Sequence, residues 1–484
     1  MSQYRIQDVH EFTVAGRRYL FGVNTGAIMG MEETAARVMD SLRGRPGASV
    51  QELMAGFEDA GEEGWVQEAL EELEALKVVG EDSGDQAPGA RGTPQAGLPP
   101  LPFPVRSLVC HLASDCNLRC AYCYAEGGSY GQPRALMDPE MACRCVDFLL
   151  RSSGGNRRLS LTFFGGEPLL NPKALQAAVR YGRAQEERWG KEIDFSLTTN
   201  ATLLSEAMVH FLSEHRIGVT VSLDGPPAVN DRLRTFPDGR GSYQSVLPQV
   251  RRLLDHHRTR PVAARVTVTR GVGDLEASFF HLHSLGFSQI GFCPVATRDA
   301  RYALSPEDLS AFLEQLRRLA QRCLSASIPA ARAGEAPCRE GIALSNLSHL
   351  LQALHQGQRR PYPCGAGLGL LGVDPNGEIY PCHRFAGSPD LILGRIERGV
   401  DLGRQAAFFQ RVHATKRVGR CAECWLRSLC AGGCYFESFI RHGDPFAPNL
   451  DTCRWLEAWI EEGLKIYVTL AQDRPELFLE LLED

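Results

Sequence analysis

The sequence predicts an α/β protein whose central part is a parallel sheet curled into a partial or full barrel. Three observations predict it. From 108 to about 325, short β-branched runs alternate with helical stretches. Gly, Asn, Asp and Pro punctuate the runs, as they do strands joined by loops. The residues with the most chemical potential fall at the runs' C-terminal ends, where such a barrel places its active site.

The first 81 residues form a separate unit. "HEFTVAGRRYLFGVN" alternates apolar and polar residues around a Gly-containing turn, as a hairpin does. Two helical patterns follow, "EETAARVMDSL" and "WVQEALEELEALKVV". A hairpin with short helices resembles a winged helix, a shape often used on DNA. The acidic second helix argues against phosphate contact. Peptide capture by adding a strand to the hairpin edge suits the unit better, and a packing or dimerisation role is the plainer alternative. Residues 82–104, "DSGDQAPGARGTPQAGLPPLPFP", read as a linker rich in Pro, Gly and Ala.

The barrel is expected over 105–330. Its runs are "LVCHLA", "LSLTFFGGEP", "IDFSLTTNA", "GVTVSLDG", "VAARVTVTR" and "QIGFCPV", with helix-like segments at 172–188, 205–215 and 242–257 between them. Consecutive βα units imply right-handed crossovers. A cysteine loop follows the first run. Gly165, Gly166, Glu167 and Pro168 follow the second, Thr199 and Asn200 the third, and Ser222 and Asp224 close the fourth. The basic stretch "RRLLDHHRTRPVAAR", ending at Arg265, reads as a solvated helix end. Residues 331–484 return to short Gly/Pro-punctuated pieces holding many cysteines, a portion expected to rest on its ligands more than on a core. "WLEAWIEEGLKIYVTLAQ" reads as a closing amphipathic helix.

The net charge of −6 gives no basic excess for nucleic acid or an anionic membrane. "MSQYRIQDVHEF" lacks an apolar h-region, and no apolar run approaches the roughly 18 residues of a membrane span. The expectation is a cytoplasmic protein. Sixteen cysteines in such a chain point to metal or iron–sulfur ligation before disulfides.

"SDCNLRCAYCYAEG" places Cys116, Cys120 and Cys123 at spacings of four and three. Three thiolates can wrap one face of a cubane cluster and leave one iron without a protein ligand. Zinc, with Cys110 as a fourth ligand, is the weaker alternative, because Cys110 lies inside the preceding run. The C-x-x-x-C-x-x-C loop with Tyr122 before its last cysteine, followed by "GGEP", resembles the radical S-adenosylmethionine (AdoMet) enzymes. The resemblance implies a partial (β/α)6 barrel and an AdoMet chelated by the open iron, whose cleavage gives a 5′-deoxyadenosyl radical. It also implies AdoMet contacts from Tyr122, Gly165, Gly166, Glu167, Pro168, Thr199, Asn200, Ser222 and Asp224, with Arg234 of "NDRLR" on the AdoMet carboxylate.

Downstream come Cys364, Cys382, Cys421-x2-Cys424-x5-Cys430-x3-Cys434 and Cys453. The pattern resembles the SPASM extension of radical AdoMet enzymes that modify peptides and proteins. That resemblance implies two auxiliary [4Fe–4S] clusters, making three in all. One would use Cys421, Cys424, Cys430 and Cys453; the other Cys364, Cys382 and Cys434. Either Cys338 or His383 completes the second, or its last site stays open for a substrate thiolate, the reading preferred. Cys143, Cys145, Cys293 and Cys323 are expected to be ordinary buried residues.

Segments such as "LTTNATLL", "GVTVSLDGP", "YPCGAGLGL", "CHRFAGS" and "CAGGCYFESFIRHGDPFAPNLDTC" resemble the maturases of quinohemoprotein amine dehydrogenase. Such enzymes join cysteine sulfur to side-chain methylene carbons of Asp or Glu. The resemblance implies a cysteine-rich peptide substrate bound through the N-terminal unit, a flavodoxin- or ferredoxin-type electron donor, no nucleic acid or membrane partner, and a monomer. A sulfatase-type maturase making formylglycine, and an iron–sulfur electron carrier, are the competing readings.

Overall fold

The computed structural model describes residues 3–55, 57, 63–81, 99–326, 343–416, 419–475 and 478. Most of the expected linker, 82–98, and Cys338 lie outside the described residues.

The chain opens with β1 (Gln3–Ile6), β2 (Val9–Val14), β3 (Arg17–Gly22) and β4 (Ile28–Gly30). Ala15 and Gly16 both adopt positive φ, which gives a two-residue hairpin the twist its strands need. Next come α1 (Glu33–Gly44), β5 (Ala48–Ser49), α2 (Val50–Met54), α3 (Glu63–Ala75) and β6 (Val79–Glu81). A reciprocal Ser49–Glu52 capping box starts α2. Strands β5-β1-β6 make one small sheet and β2-β3-β4 another. Val38, Met39, Val66 and Leu70 fill the core between the helices. The apolar face of the hairpin, Phe12, Tyr19 and Phe21, packs instead on Leu354, Leu464 and Val468 from the far end of the chain.

The central sheet is built from β7 (Ser107–Ala113), β8 (Arg158–Gly165), β9 (Glu192–Thr199), β10 (Gly218–Ser222), β11 (Val262–Val268) and β12 (Gln289–Pro294). Neighbours pair in parallel and in sequence order. Their period-2 pattern explains the curl. In β8, Leu159, Leu161 and Phe163 are buried toward the helices, while Thr162 and Phe164 face the lumen. Helices α4 (Pro139–Ser152) and α5 (Pro172–Trp189) cover the outside, each with Pro at its start and an Asp138 or Asn171 cap.

The sheet does not end at β7. Strand β13 (Leu370–Val373) pairs with β7 in parallel, and β14 (Glu378–Tyr380), β15 (Gly394–Arg395) and β16 (Gly399–Val400) continue it, giving ten strands. The C-terminal portion therefore has more support than the sequence suggests. It also has its own aromatic core of Tyr380, Phe385, Phe408, Phe409, Tyr435 and Phe446. A long helix, Leu450–Asp473, closes the molecule. Among the described residues no helix is long and apolar enough to cross a membrane.

Candidate active site

The Cys116–Cys123 loop leaves the C-terminal end of β7 and is pinned from two sides. On one, Arg119 N–H donates to Thr235 O at 2.7 Å and Ala121 N–H to Leu233 O at 2.9 Å, fixing the loop to the segment that holds Arg234. On the other, Gly166 N–H donates to Ala113 O and Glu167 N–H to Asp115 O, both at 2.9 Å. Glycine is required here by space. A Cβ on Gly166 would stand 2.1 Å from Asp115 O, and one on Gly128 would stand 2.6 Å from Gly166 Cα.

Two acidic residues expected to touch AdoMet face away from the cavity. Glu167 is fully buried and its carboxylate is consumed: Oε1 accepts from Leu169 N at 3.0 Å and Thr199 Oγ1 at 2.7 Å, and Oε2 from Asn200 N at 2.8 Å. Burial pushes its pKa up to about 7, against the pull of those three donors. It ties the end of β8 to the end of β9. Pro168, also buried, starts a short 3-10 turn behind the wall. Asp224 likewise accepts from Arg234 Nε at 2.8 Å, Tyr122 Oη at 2.6 Å and Thr267 N at 2.9 Å. Both carboxylates are thus engaged in holding other residues in place, and neither lines the cavity.

The remaining residues do converge. Cys116, Cys120, Cys123, Tyr122, Gly165, Gly166, Thr199, Asn200, Ser222 and Arg234 line one cavity at the barrel mouth. Arg234 is buried; burial disfavours its charge and Asp224 more than restores it. Its Nη1 lies 3.9 Å from Cys120 Sγ, and Asn200 Nδ2 lies 3.7 Å from Cys116 Sγ. Burial pushes the Cys116 thiol up to about 12, with the Glu167 charge adding to it, and Cys120 to about 11. Grouped, buried thiols of this kind ionise only beside a compensating cation.

The later cysteines also gather. Cys421, Cys424, Cys430, Cys434 and Cys453 line a void under the closing helix. Cys382 is close enough to Cys364 and Cys434 for their charges to raise its pKa, which burial chiefly drives up to about 12. Cys434 thus stands between both sets. Among the described residues no three His, Cys, Asp or Glu side chains are drawn together as ligands of one metal ion. Thiols ringing a void suit a polynuclear cluster better than a single zinc. Cys110 is buried in β7 and hydrogen-bonds Cys145, so it is core.

Several lining residues escape the sequence reading. Arg265 lies within β11, on the lumen face with Thr267, and is no part of a solvated helix end. Cys293 is no ordinary core residue: it lines the cavity with Arg265 Nη2 2.9 Å from its sulfur. His383 and Arg384, next to Cys382, line the same cavity. The alternation of "VAARVTV" was the available signal, since a charged residue on a strand's lumen face has only the barrel interior to meet.

The Radical SAM superfamily model matches residues 112–281, which span the cysteine loop through most of the helix Leu275–Ser284. A serine-type anaerobic sulfatase-maturating enzyme of Klebsiella aerogenes is 26% identical over 360 residues, 70% of this chain and 82% of its own length. A cysteine-type counterpart from Clostridium perfringens is 24% identical over 366 residues, 70% of this chain and 89% of its own. The solved structure of native anSMEcpe with bound AdoMet and Cp18Cys peptide superposes with a TM-score of 0.63 at 20% identity, covering 76% of this chain and all of that one. The cysteine loop, the glycine turn and the ordered parallel strands lie within or beside the stretch that matches the Radical SAM superfamily, residues 112–281.

Proposed function

We propose that this protein is a radical AdoMet peptide maturase that forms thioether crosslinks between a cysteine sulfur and a side-chain methylene carbon of Asp or Glu. The carrying observation is that His383 and Arg384, which directly follow Cys382, line the same cavity as Cys116, Cys120 and Cys123, with Cys382 Sγ 3.5 Å from His383 Nδ1. A second thiol set beside the reaction space suits a substrate that must be held at sulfur while its carbon reacts.

When bound, AdoMet and the clusters would supply a 5′-deoxyadenosyl radical to take one hydrogen atom from the substrate methylene, and an acceptor for the electron left when the sulfur, its proton released, bonds to that carbon. Cys116, Cys120 and Cys123 would hold that cluster, and Arg234, oriented by Asp224, would pair with the AdoMet carboxylate. Gly165 and Gly166 let backbone approach AdoMet, while Ser222, Thr199 and Asn200 offer hydrogen-bonding groups from the strand ends. Cys421, Cys424, Cys430 and Cys453 would hold one auxiliary cluster, and Cys364, Cys382 and Cys434 another whose last position is open to substrate sulfur. Fixing the sulfur ahead of reaction removes an entropic barrier. The N-terminal unit of 3–81 serves as the recognition domain for a cysteine-rich peptide, and the C-terminal portion as a SPASM domain. The protein works in the cytoplasm as a monomer with a flavodoxin- or ferredoxin-type donor.

A second reading is formylglycine formation, favoured by the sulfatase-maturating relatives that match 70% of this chain. Anaerobic incubation of the reconstituted protein with AdoMet, reductant and a cysteine-rich precursor, followed by tandem mass spectrometry, separates the two. Loss of two hydrogens per reacted cysteine, with fragments linking Cys to Asp or Glu, supports the thioether. A cysteine- or serine-derived aldehyde refutes it.

A further inference from the structure

Within the reaction cavity, two of the three guanidinium groups have no acidic partner among the described residues. Three arginines line it, Arg234, Arg265 and Arg384, and among the described residues no aspartate or glutamate does. Arg234 is accounted for by Asp224. Arg265 gives one N–H to Cys293 Sγ at 2.9 Å, and the other donors of its guanidinium have no side-chain acceptor among the described residues. Arg384 forms no ion pair among the described residues and is held by two aromatic rings, its Cζ 5.3 Å from the centroid of Tyr124 and 5.6 Å from that of Phe436. Stacking fixes the plane of a guanidinium while leaving its N–H edge available. Both groups border His383, and Cys293 lies close to each.

An uncompensated charge in a partly enclosed space is expensive unless an anion arrives to meet it. A guanidinium edge matches a carboxylate in geometry as well as charge. We propose that Arg265 and Arg384 form a carboxylate seat that positions an acidic residue of the substrate peptide in the reaction cavity. The seat rests on the peptide-maturase reading and adds the residues that select which part of the peptide is presented. Arg265 comes from the barrel and Arg384 from the segment after Cys382, so the carboxylate would be gripped between the two halves of the active site. The competing role for Arg384 is to balance the charge of the Cys382 and Cys434 thiolates, which also lie near it.

The test uses the full chain, cluster-reconstituted and AdoMet-loaded, in equilibrium dialysis against synthetic N-acetylated, C-amidated peptides. One pool carries a cysteine and a Glu two to six residues away; its match has Gln for Glu; a third has Gln and a free C-terminal carboxylate. Retained peptide is quantified by mass spectrometry. Retention of the Glu pool over the Gln pool by about tenfold or more, falling to near unity in Arg265→Gln and in Arg384→Gln, supports the seat. Selective retention of the third pool alone, lost in the same variants, assigns the seat to the chain end and overturns the acidic-residue proposal. Equal retention of all pools by the wild type overturns the seat alone. Binding of no pool overturns the peptide-substrate reading with it. Arg384→Lys and Arg265→Lys keep the charge and lose the fork, and should give intermediate ratios. Preserved selectivity in Arg384→Gln, with only a shifted cluster midpoint potential, assigns Arg384 to charge balance and overturns the proposal.

Discussion

Replacing Asp224 by Asn tests how the AdoMet end of the cavity is organised. The carboxylate neutralises a buried guanidinium and also accepts from Tyr122 Oη and Thr267 N. Asparagine keeps the volume and one acceptor, removes the charge, and turns an NH2 toward donors. Breaking a buried pair in this way is worth about 3–5 kcal/mol of stability. For a domain the size of the barrel, that lowers Tm by on the order of 10 °C. The released Arg234 should also weaken AdoMet binding by roughly tenfold or more. Both are measurable on the cluster-loaded protein under anaerobic conditions, by thermal unfolding and by equilibrium dialysis with labelled AdoMet. The double variant Asp224→Leu/Arg234→Met removes both charges; it should recover much of the Tm and none of the AdoMet affinity. If Asp224→Asn unfolds at the wild-type temperature and binds AdoMet with wild-type affinity, the network does not position Arg234.

Gly166→Ala drives a methyl into the backbone of Asp115, which cannot yield as a side chain can. On the proposed complement of three clusters, loss of about one third of the iron is expected in elemental analysis. His111 is fully buried, neither ring nitrogen has a hydrogen-bond partner among the described residues, and burial lowers its pKa to about 3. As the folded pKa lies below the unfolded one, the folded state loses stability as pH falls from about 6.5 toward 3, by up to about 5 kcal/mol. His111→Phe should unfold at a higher temperature and show a shallower acid dependence; an identical pH profile would contradict this. Asp8→Ala leaves Arg427, an almost buried guanidinium paired with Asp8 and 3.1 Å from Asn24 Oδ1, short of its anionic partner. Faster limited proteolysis within residues 3–81 is expected, because this contact ties β2 and β3 to the cysteine-rich portion.

Much of this site is legible in the sequence because its signals are local. The spacing of Cys116, Cys120 and Cys123, the glycine pair and the alternation of the strands are each written within a dozen residues, and the structure places them around one cavity. Arg234 was placed by its distance from Asp224 and does reach the cysteine loop. The losses concern how side chains are used. Glu167 and Asp224 sit at the right strand ends, but their oxygens are spent on Thr199, Asn200, Tyr122 and Arg234, contacts made across 10 to 102 residues of sequence. Arg384 enters from a segment whose approach depends on the pairing of β13 with β7, which no local pattern announces. The aromatic core around Phe408 and Tyr435 was hidden by the glycines and prolines that surround it.

That pairing has a consequence for how such a protein can change over time. Leu371 sits opposite Leu108 and Val373 opposite Cys110, so the strand before the cysteine loop and the strand before Cys382 share one backbone ladder. Gly372 presses on the backbone of Cys382 and His383, leaving no slack at the join. A single inserted residue in either strand would turn every following side chain to the opposite face. The two cysteine-bearing regions are therefore inherited as one piece: a chimera that exchanges the C-terminal portion between relatives must carry a matching β7 with it, or the ruler that sets the span between them is broken.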